Sequence, residues 1–168
     1  MDAYLAVVSR REVRDYLARP LEPEVERRIL EAGRLSGSAA NRQPWTFIVI
    51  RDDKAVEAVA ESVYEPLNVR GAAFLVAIQV HGGPPMDAGR AAQNMMIAAW
   101  ALGIGSCPNG INDRVGLNRA LRLDDDDRVA TVLSFGHPAK ASDPRRRTPE
   151  EWIERARRKP FDEVVREI

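Results

Sequence analysis

The chain has 168 residues, 45% of them hydrophobic, and its 25 basic residues balance 25 acidic ones. That length suits one domain with a core that needs no disulfide, and the apolar content excludes a disordered chain. Zero net charge argues against a general nucleic-acid binder or a protein working on anionic membranes, while one cysteine (Cys107) and two histidines (His81, His137) cannot alone form a disulfide or a structural zinc site.

Leu5 and Val8 open the chain as a short apolar stripe, followed by the charged cluster RREVR, Arg10 to Arg14. Pro20 and Pro23 mark a turn. Val25, Ile29 and Leu30 then stand at helical spacing, with Gly33 as the expected stop. The small-residue loop SGSAANRQP, Ser36 to Pro44, leads into WTFIVI, Trp45 to Ile50, a buried strand. Val56, Val59 and Val63 predict a helix, and FLVAIQV, Phe74 to Val80, predicts a second strand. Asp87 is the expected N-cap of a long helix through Leu102, apolar almost all round, which calls for burial on every side in a core or against another subunit. GIGSCPNG, Gly103 to Gly110, reads as a tight Gly/Pro loop, Val115 and Leu121 as a short helix, and VATVLSF, Val129 to Phe135, as the third and last strand. Thr148 to Glu151 forms a capping box with Pro149 at the first helical position, ahead of Trp152, Ile153 and an apolar tail of Phe161, Val164, Val165 and Ile168.

No linker or repeat divides the sequence, so residues 1–168 read as one domain. Met1 to Arg14 has no signal-peptide pattern, and the most apolar run, Met95 to Leu102, is far short of the roughly 20 residues that span a bilayer. A cytoplasmic protein is expected. Three strands make a thin sheet, which points to the apolar helix and tail as dimer surface.

Of the 25 basic residues, 22 are Arg. Arg forks suit bidentate phosphate recognition. Two clusters stand far apart in sequence: Arg10, Arg11 and Arg14, then Arg145, Arg146 and Arg147. Arg10 and Arg14 would share a face if their segment were helical; ordinary solvated charges are the alternative for both clusters. The SGSAANRQP loop offers hydroxyl, amide and backbone donors with little bulk. The common nucleotide fingerprints are absent. Cys107 has no histidine placed beside it, so nucleophilic catalysis is not expected, and the run Asp124 to Asp127 reads as a solvated loop rather than a metal site. His81, at a strand end, is a candidate pocket edge, and His137 reads as a turn residue.

RREVRDY, SAANRQPWTFIVI, DAGRAAQNMMIAAWALGIGS and PRRRTPEEW, in that order over nearly the whole chain, resemble the nitroreductase family. The resemblance implies an α+β three-layer fold, with a central, mostly antiparallel sheet flanked by helices and two chains interlocked as a homodimer. It implies FMN as cofactor and NADH or NADPH as electron donor. A small flat acceptor, a nitroaromatic or quinone, would be reduced in a ping-pong cycle, with no nucleic-acid or membrane partner. Arg10, Arg11 and Arg14 match the family's phosphate-binding basic motif, and Arg145 and Arg147 the late basic pair that closes on the same phosphate. Ser38, Ala39 and Asn41 match the loop lent by one subunit to the flavin of the other. Pro108, Asn109 and Gly110 match the stretch whose backbone N–H groups approach flavin N5, and Gln93 and Asn94 match a structural pair on the interface helix. No catalytic side chain and no metal ligand is expected, since the flavin carries the chemistry.

The chain departs from the family pattern in three places. Glu12 stands where many relatives carry Ser, Gly37 where Pro is usual, and only His81 to Met86 joins the second strand to the interface helix, where relatives often carry a helical lid. A short lid implies an open flavin face, which leaves a flavin carrier or sensor without turnover as an alternative. The acidic residue in RREVR leaves a relative of the flavin-destroying, dimethylbenzimidazole-forming branch as another.

Overall fold

The computed structural model describes residues 1–140 and 143–168. They form two compact units, one of Met1–Arg10 with Asp143–Ile168, the other of Arg11–Ser142.

The larger unit is built on a four-stranded antiparallel sheet. Its strands are β1 (Trp45–Ile50), β2 (Phe74–Val80), β3 (Gly105–Asn109) and β4 (Arg128–Gly136), in the order β1-β2-β4-β3. Four strands replace the three expected. The extra one, β3, comes from GSCPN, which carries a Gly, a Pro and no β-branched residue and so gives no strand signal. Central β2 is buried along almost its whole length, as a run apolar on both faces requires.

Helices cover both faces. On one, α2 (Pro23–Arg34) and α5 (Pro85–Ala101) pack Ile29, Met95 and Met96 against Val76, Ile78, Leu133 and Phe135. On the other, α3 (Asp53–Glu61), α4 (Pro66–Arg70) and α6 (Arg114–Leu121) pack Val59, Val69 and Leu117 against Leu75, Ala77 and Val132. The layering is the one the resemblance implies.

Two sequence expectations are corrected. Gly33 does not stop α2, which runs to Arg34; a Cβ at Gly33 would lie 2.8 Å from Met95 Sδ, so glycine is there to let α2 close on α5. Asp87 is not an N-cap: α5 begins at Pro85 with Pro84 in the cap position, and Asp87 is a buried first-turn residue. Within this chain α5 leaves Gly89, Arg90, Asn94 and Ala101 exposed and Gln93, Ile97 and Ala98 half-buried. Only His81–Pro84 separates β2 from α5, turning through Gly82 and Gly83 at φ +75° and +80°, where a side chain would be strained.

In the smaller unit, α1 (Ala3–Ser9) packs against α7 (Pro149–Arg155), burying Ala6 and Trp152. The predicted capping box is formed: Thr148 Oγ1 accepts from Glu151 N at 3.3 Å, and the Glu151 carboxylate accepts from Thr148 N at 2.8 Å. Trp152 Nε1 donates to Pro144 O at 2.9 Å, tying the turn Pro144–Arg146 to α7. The tail holds a short α8 (Phe161–Val164), and its apolar side chains are exposed. Among the described residues no helix is long and apolar enough to cross a membrane.

Candidate functional site

The basic N-terminal cluster is not one helical face. Helix α1 ends with Arg10 as its C-cap, so Arg10 belongs to the smaller unit and Arg11 and Arg14 to the larger. Beyond Arg10 the chain is extended: Glu12 bridges Ser106 in parallel, and Val13 N donates to Ser106 O at 3.0 Å. This lays Arg11 to Arg14 along the outer edge of β3.

Strand alternation then fixes which β3 groups face that edge. Ser106 O is used there by Val13, and Gly110 O accepts from Tyr64 N at 3.1 Å. Residues 106, 108 and 110 therefore turn their backbone groups outward, and Pro108 has no N–H to offer. Gly110 does, and its N–H donates to no described residue. A Cβ at Gly110 would sit 3.1 Å from the Tyr64 ring, so the close approach there needs glycine. Asn109 points the other way. Its backbone lies in the ladder opposite Val132, and its side-chain Nδ2 donates to Val132 O at 3.0 Å, Ser134 Oγ at 3.2 Å and Cys107 O at 3.3 Å. Its Oδ1 is the one buried side-chain acceptor without a donor among the described residues. An orphaned acceptor in a buried network needs an occupant to satisfy it.

Behind Asn109, the Tyr16 hydroxyl donates to Val13 O at 2.6 Å and lies 3.1 Å from Ser134 Oγ. Burial pushes its pKa well above the ordinary tyrosine value, against an opposing contribution from the Ser134 bond. Tyr16 is thus a neutral strut fixing the basic segment to β4. Sequence reading missed it, because nothing local marks a tyrosine that packs against Gly136. Cys107 is buried on β3, away from either histidine's hydrogen bonds.

The loop Ser38, Ala39 and Asn41 forms a 3-10 turn at the N-terminal end of α5. Asp87 Oδ2 accepts Ala39 N at 3.0 Å, Ser38 Oγ accepts Gln43 N at 2.8 Å, and Arg90 lies over Gly37. Ala40, Asn41 and Gln43 all hold positive φ, a concentration of strained backbone in one short loop. Ser38, Ala39 and Asn41 do not line the cavity that Pro108 lines, though Pro44 at the end of their loop does. That cavity, of about 700 Å³, lies between the Gly82–Pro85 connection, the first turns of α5 and the start of β4. His81 is exposed beside it and hydrogen-bonds Thr46 Oγ1 at 2.8 Å.

In the smaller unit, Arg145 and Arg147 flank the turn that packs on α1, the helix Arg10 caps. Asp143 Oδ1 accepts Arg145 N at 3.0 Å, leaving the Arg145 guanidinium exposed. The Arg147 guanidinium is half-buried, 5.0 Å from the centre of the Trp152 ring. Gln93 and Asn94 lie on α5, where Asn94 Nδ2 donates to Ser36 Oγ at 2.7 Å. No described group of acidic, cysteine or histidine residues is placed to hold a metal, and the Asp124–Asp127 run is tied up locally by Asn118 and Gln79. Within the larger unit, the donors along the outer edge of β3 fit a flat, phosphate-bearing ring: the Arg11 and Arg14 guanidiniums for a dianion and an outward N–H at Gly110.

A model described as the nitroreductase family matches residues 7–82 and 81–137. The chain is 32% identical over 151 residues to an Archaeoglobus fulgidus protein named "Putative NADH dehydrogenase/NAD(P)H nitroreductase", covering 82% of this chain and 86% of that one. A Methanothermobacter thermautotrophicus protein of the same name is 29% identical, covering 83% and 79%. Among solved structures, a Desulfovibrio desulfuricans protein described as "a putative nitroreductase in complex with fmn" superimposes with a TM-score of 0.84 at 30% identity, covering 100% of this chain and 98% of that one. A nitroreductase family protein from Clostridium difficile 630 shares the fold with a TM-score of 0.83 at 20% identity, covering 99% and 98%.

Proposed function

The chain belongs to the nitroreductase family, and from that premise we propose that it is an FMN-dependent oxidoreductase. It takes hydride from NADH or NADPH and reduces a flat acceptor, a nitroaromatic or quinone, in a ping-pong cycle. The observation that carries this reading is the outer edge of β3, where the Arg11–Arg14 segment, docked at Ser106, runs beside an outward N–H at Gly110.

FMN, when bound, supplies the redox chemistry. The protein binds and orients it. Arg11 and Arg14 would hold its phosphate, a task for which planar forks exceed lysines in hydrogen-bond reach, and the family's motif order assigns Arg10, Arg145 and Arg147 to the same role. The Gly110 N–H would be the donor to the ring, while Pro108 and Asn109 shape the strand around it. The Asn109 carboxamide, its Nδ2 turned to Val132 O, Ser134 Oγ and Cys107 O, holds the end of β3 against β4 behind that edge. Ser38, Ala39 and Asn41 are lent to the flavin of a second copy in a homodimer. The exposed Phe161, Val164, Val165 and Ile168 support that assembly, since a stripe of apolar side chains in water favours a partner.

The test is the visible spectrum of the purified protein. A yellow protein that bleaches anaerobically with NADH or NADPH, and recovers its colour when a quinone is added, supports the reading. Protein that stays colourless after FMN is added sinks it. Bound flavin that neither nucleotide bleaches leaves a carrier, not an enzyme.

A further inference from the structure

The cavity beside Pro108 carries positive charge and no negative charge. Its floor is apolar, with Pro44, Val80, Ala92 and Pro108 contributing, and its only charged lining residues are Arg114 and Arg128. Neither has an ion-pair partner among the described residues, whereas Arg27, Arg28, Arg34, Arg51, Arg70 and Arg90 each meet a carboxylate. Their positions are not explained by local structure. Arg114 opens α6, where a cation opposes the positive end of the helix dipole. The neighbouring Asp113 carboxylate is occupied as N-cap, accepting Gly116 N at 3.0 Å. Arg128 opens β4 directly after the acidic run, but Asp127 is engaged by Gln79 Nε2 at 2.9 Å and Asp124 N at 3.0 Å, and none of the four aspartates lines the cavity. Two exposed arginines without carboxylate partners among the described residues, lining an apolar slot of about 700 Å³, match a ligand with a flat apolar body and an anionic group.

We propose that the electron acceptor of this protein carries an anionic group, a carboxylate or phosphate on a flat ring, held by Arg114 and Arg128. The proposal rests on the functional reading above, because only then is the ligand of this cavity an acceptor. It deepens that reading by replacing any flat acceptor with an anionic one. Neutral nitroaromatics and quinones then enter the same slot without the charge contact and bind it more weakly.

The test uses FMN-loaded protein and needs no turnover. Titrations of para-nitrobenzoate and of its methyl ester are followed by the change in bound-flavin absorbance. The carboxylate is expected to bind about tenfold more tightly than the ester, the factor one charge-assisted contact ordinarily carries. That preference should shrink as salt is raised and vanish in the Arg114→Gln/Arg128→Gln protein. The two single substitutions, each expected to lose part of the preference, keep the test open should the double variant not fold. Equal affinities in the wild type, no binding of either compound, or a preference that survives both substitutions overturns the proposal. So does an outcome in which the substitutions weaken nicotinamide mononucleotide alone, which assigns the arginine pair to the hydride donor. Bleaching by NADH or NADPH is measured on the same sample. Bleaching without a carboxylate preference defeats this proposal alone, whereas failure to take up FMN defeats the functional reading and this proposal with it.

Discussion

Asp87 Oδ2 accepts the backbone N–H of Ala39 at 3.0 Å, joining the first turn of α5 to a loop 48 residues away in sequence. The carboxylate is almost wholly buried, and the loop it holds contains three non-glycine residues at positive φ, each costing about 1 kcal/mol. A loop under that strain keeps its shape only while its supports last.

Asp87→Ala should therefore lower stability by about 1–2 kcal/mol, a drop in Tm of roughly 3–6 °C for a chain of this size. Asp87→Asn keeps an acceptor oxygen and should recover most of the loss. Thermal unfolding of the three proteins checks this, and an Asp87→Ala protein as stable as the wild type would show that the loop stands by itself.

Arg14→Ala and Arg145→Ala should each weaken FMN binding by about tenfold, the effect of losing one charge-assisted contact to phosphate. Riboflavin has the same ring and no phosphate, so its affinity should be unchanged. Quenching of flavin fluorescence measures both. Equal loss for FMN and riboflavin would mean the arginines act on the fold or the ring instead.

Gly33→Ala should destabilise by about 1–3 kcal/mol, because the new Cβ would sit 2.8 Å from Met95 Sδ and 3.0 Å from Phe47 Cζ. Gly89→Ala, on the exposed face of α5 with nothing within 4 Å, should instead gain about 0.5–1 kcal/mol from helix propensity. Chemical denaturation midpoints give the two signs directly.

The raised pKa of Tyr16 carries a pH signature. The folded state holds this proton more tightly than the unfolded state, so the stabilisation is complete below the ordinary tyrosine pKa of about 10 and declines as pH rises beyond it. In alkaline absorbance titration, Tyr16 should ionise only as the protein unfolds. Tyr16→Phe should remove the late step and cost about 1–2 kcal/mol by leaving Ser134 and Val13 short of a partner.

Elements with an unbroken pattern were legible in the sequence. The strands WTFIVI and FLVAIQV, the α5 run and the Thr148 capping box each carry their own signal and lie where that signal puts them. The β3 edge was not legible, since GSCPN becomes a strand only because β4 offers a ladder. Likewise, the separation of Arg10 from Arg11 and Arg14 depends on α1 ending at Arg10 and on Ser106 capturing Val13, a long-range bond invisible to local spacing. The candidate site residues could be named by motif order, but Tyr16, Asp87 and the orphaned Asn109 oxygen are products of tertiary contact. Arg114 and Arg128 carried no motif at all; only the cavity distinguishes them from the other arginines.

The proline in β3 has a consequence for solubility. An edge strand with free donors is a template on which further chains can add, the first step toward fibrils. Here the Gly110 N–H is the one outward donor left among the described residues, since Ser106 O and Gly110 O are occupied by Val13 and Tyr64 and Pro108 between them has no donor. One donor is too few for a ladder, so the same few residues that open an edge to a small molecule disfavour the addition of another polypeptide.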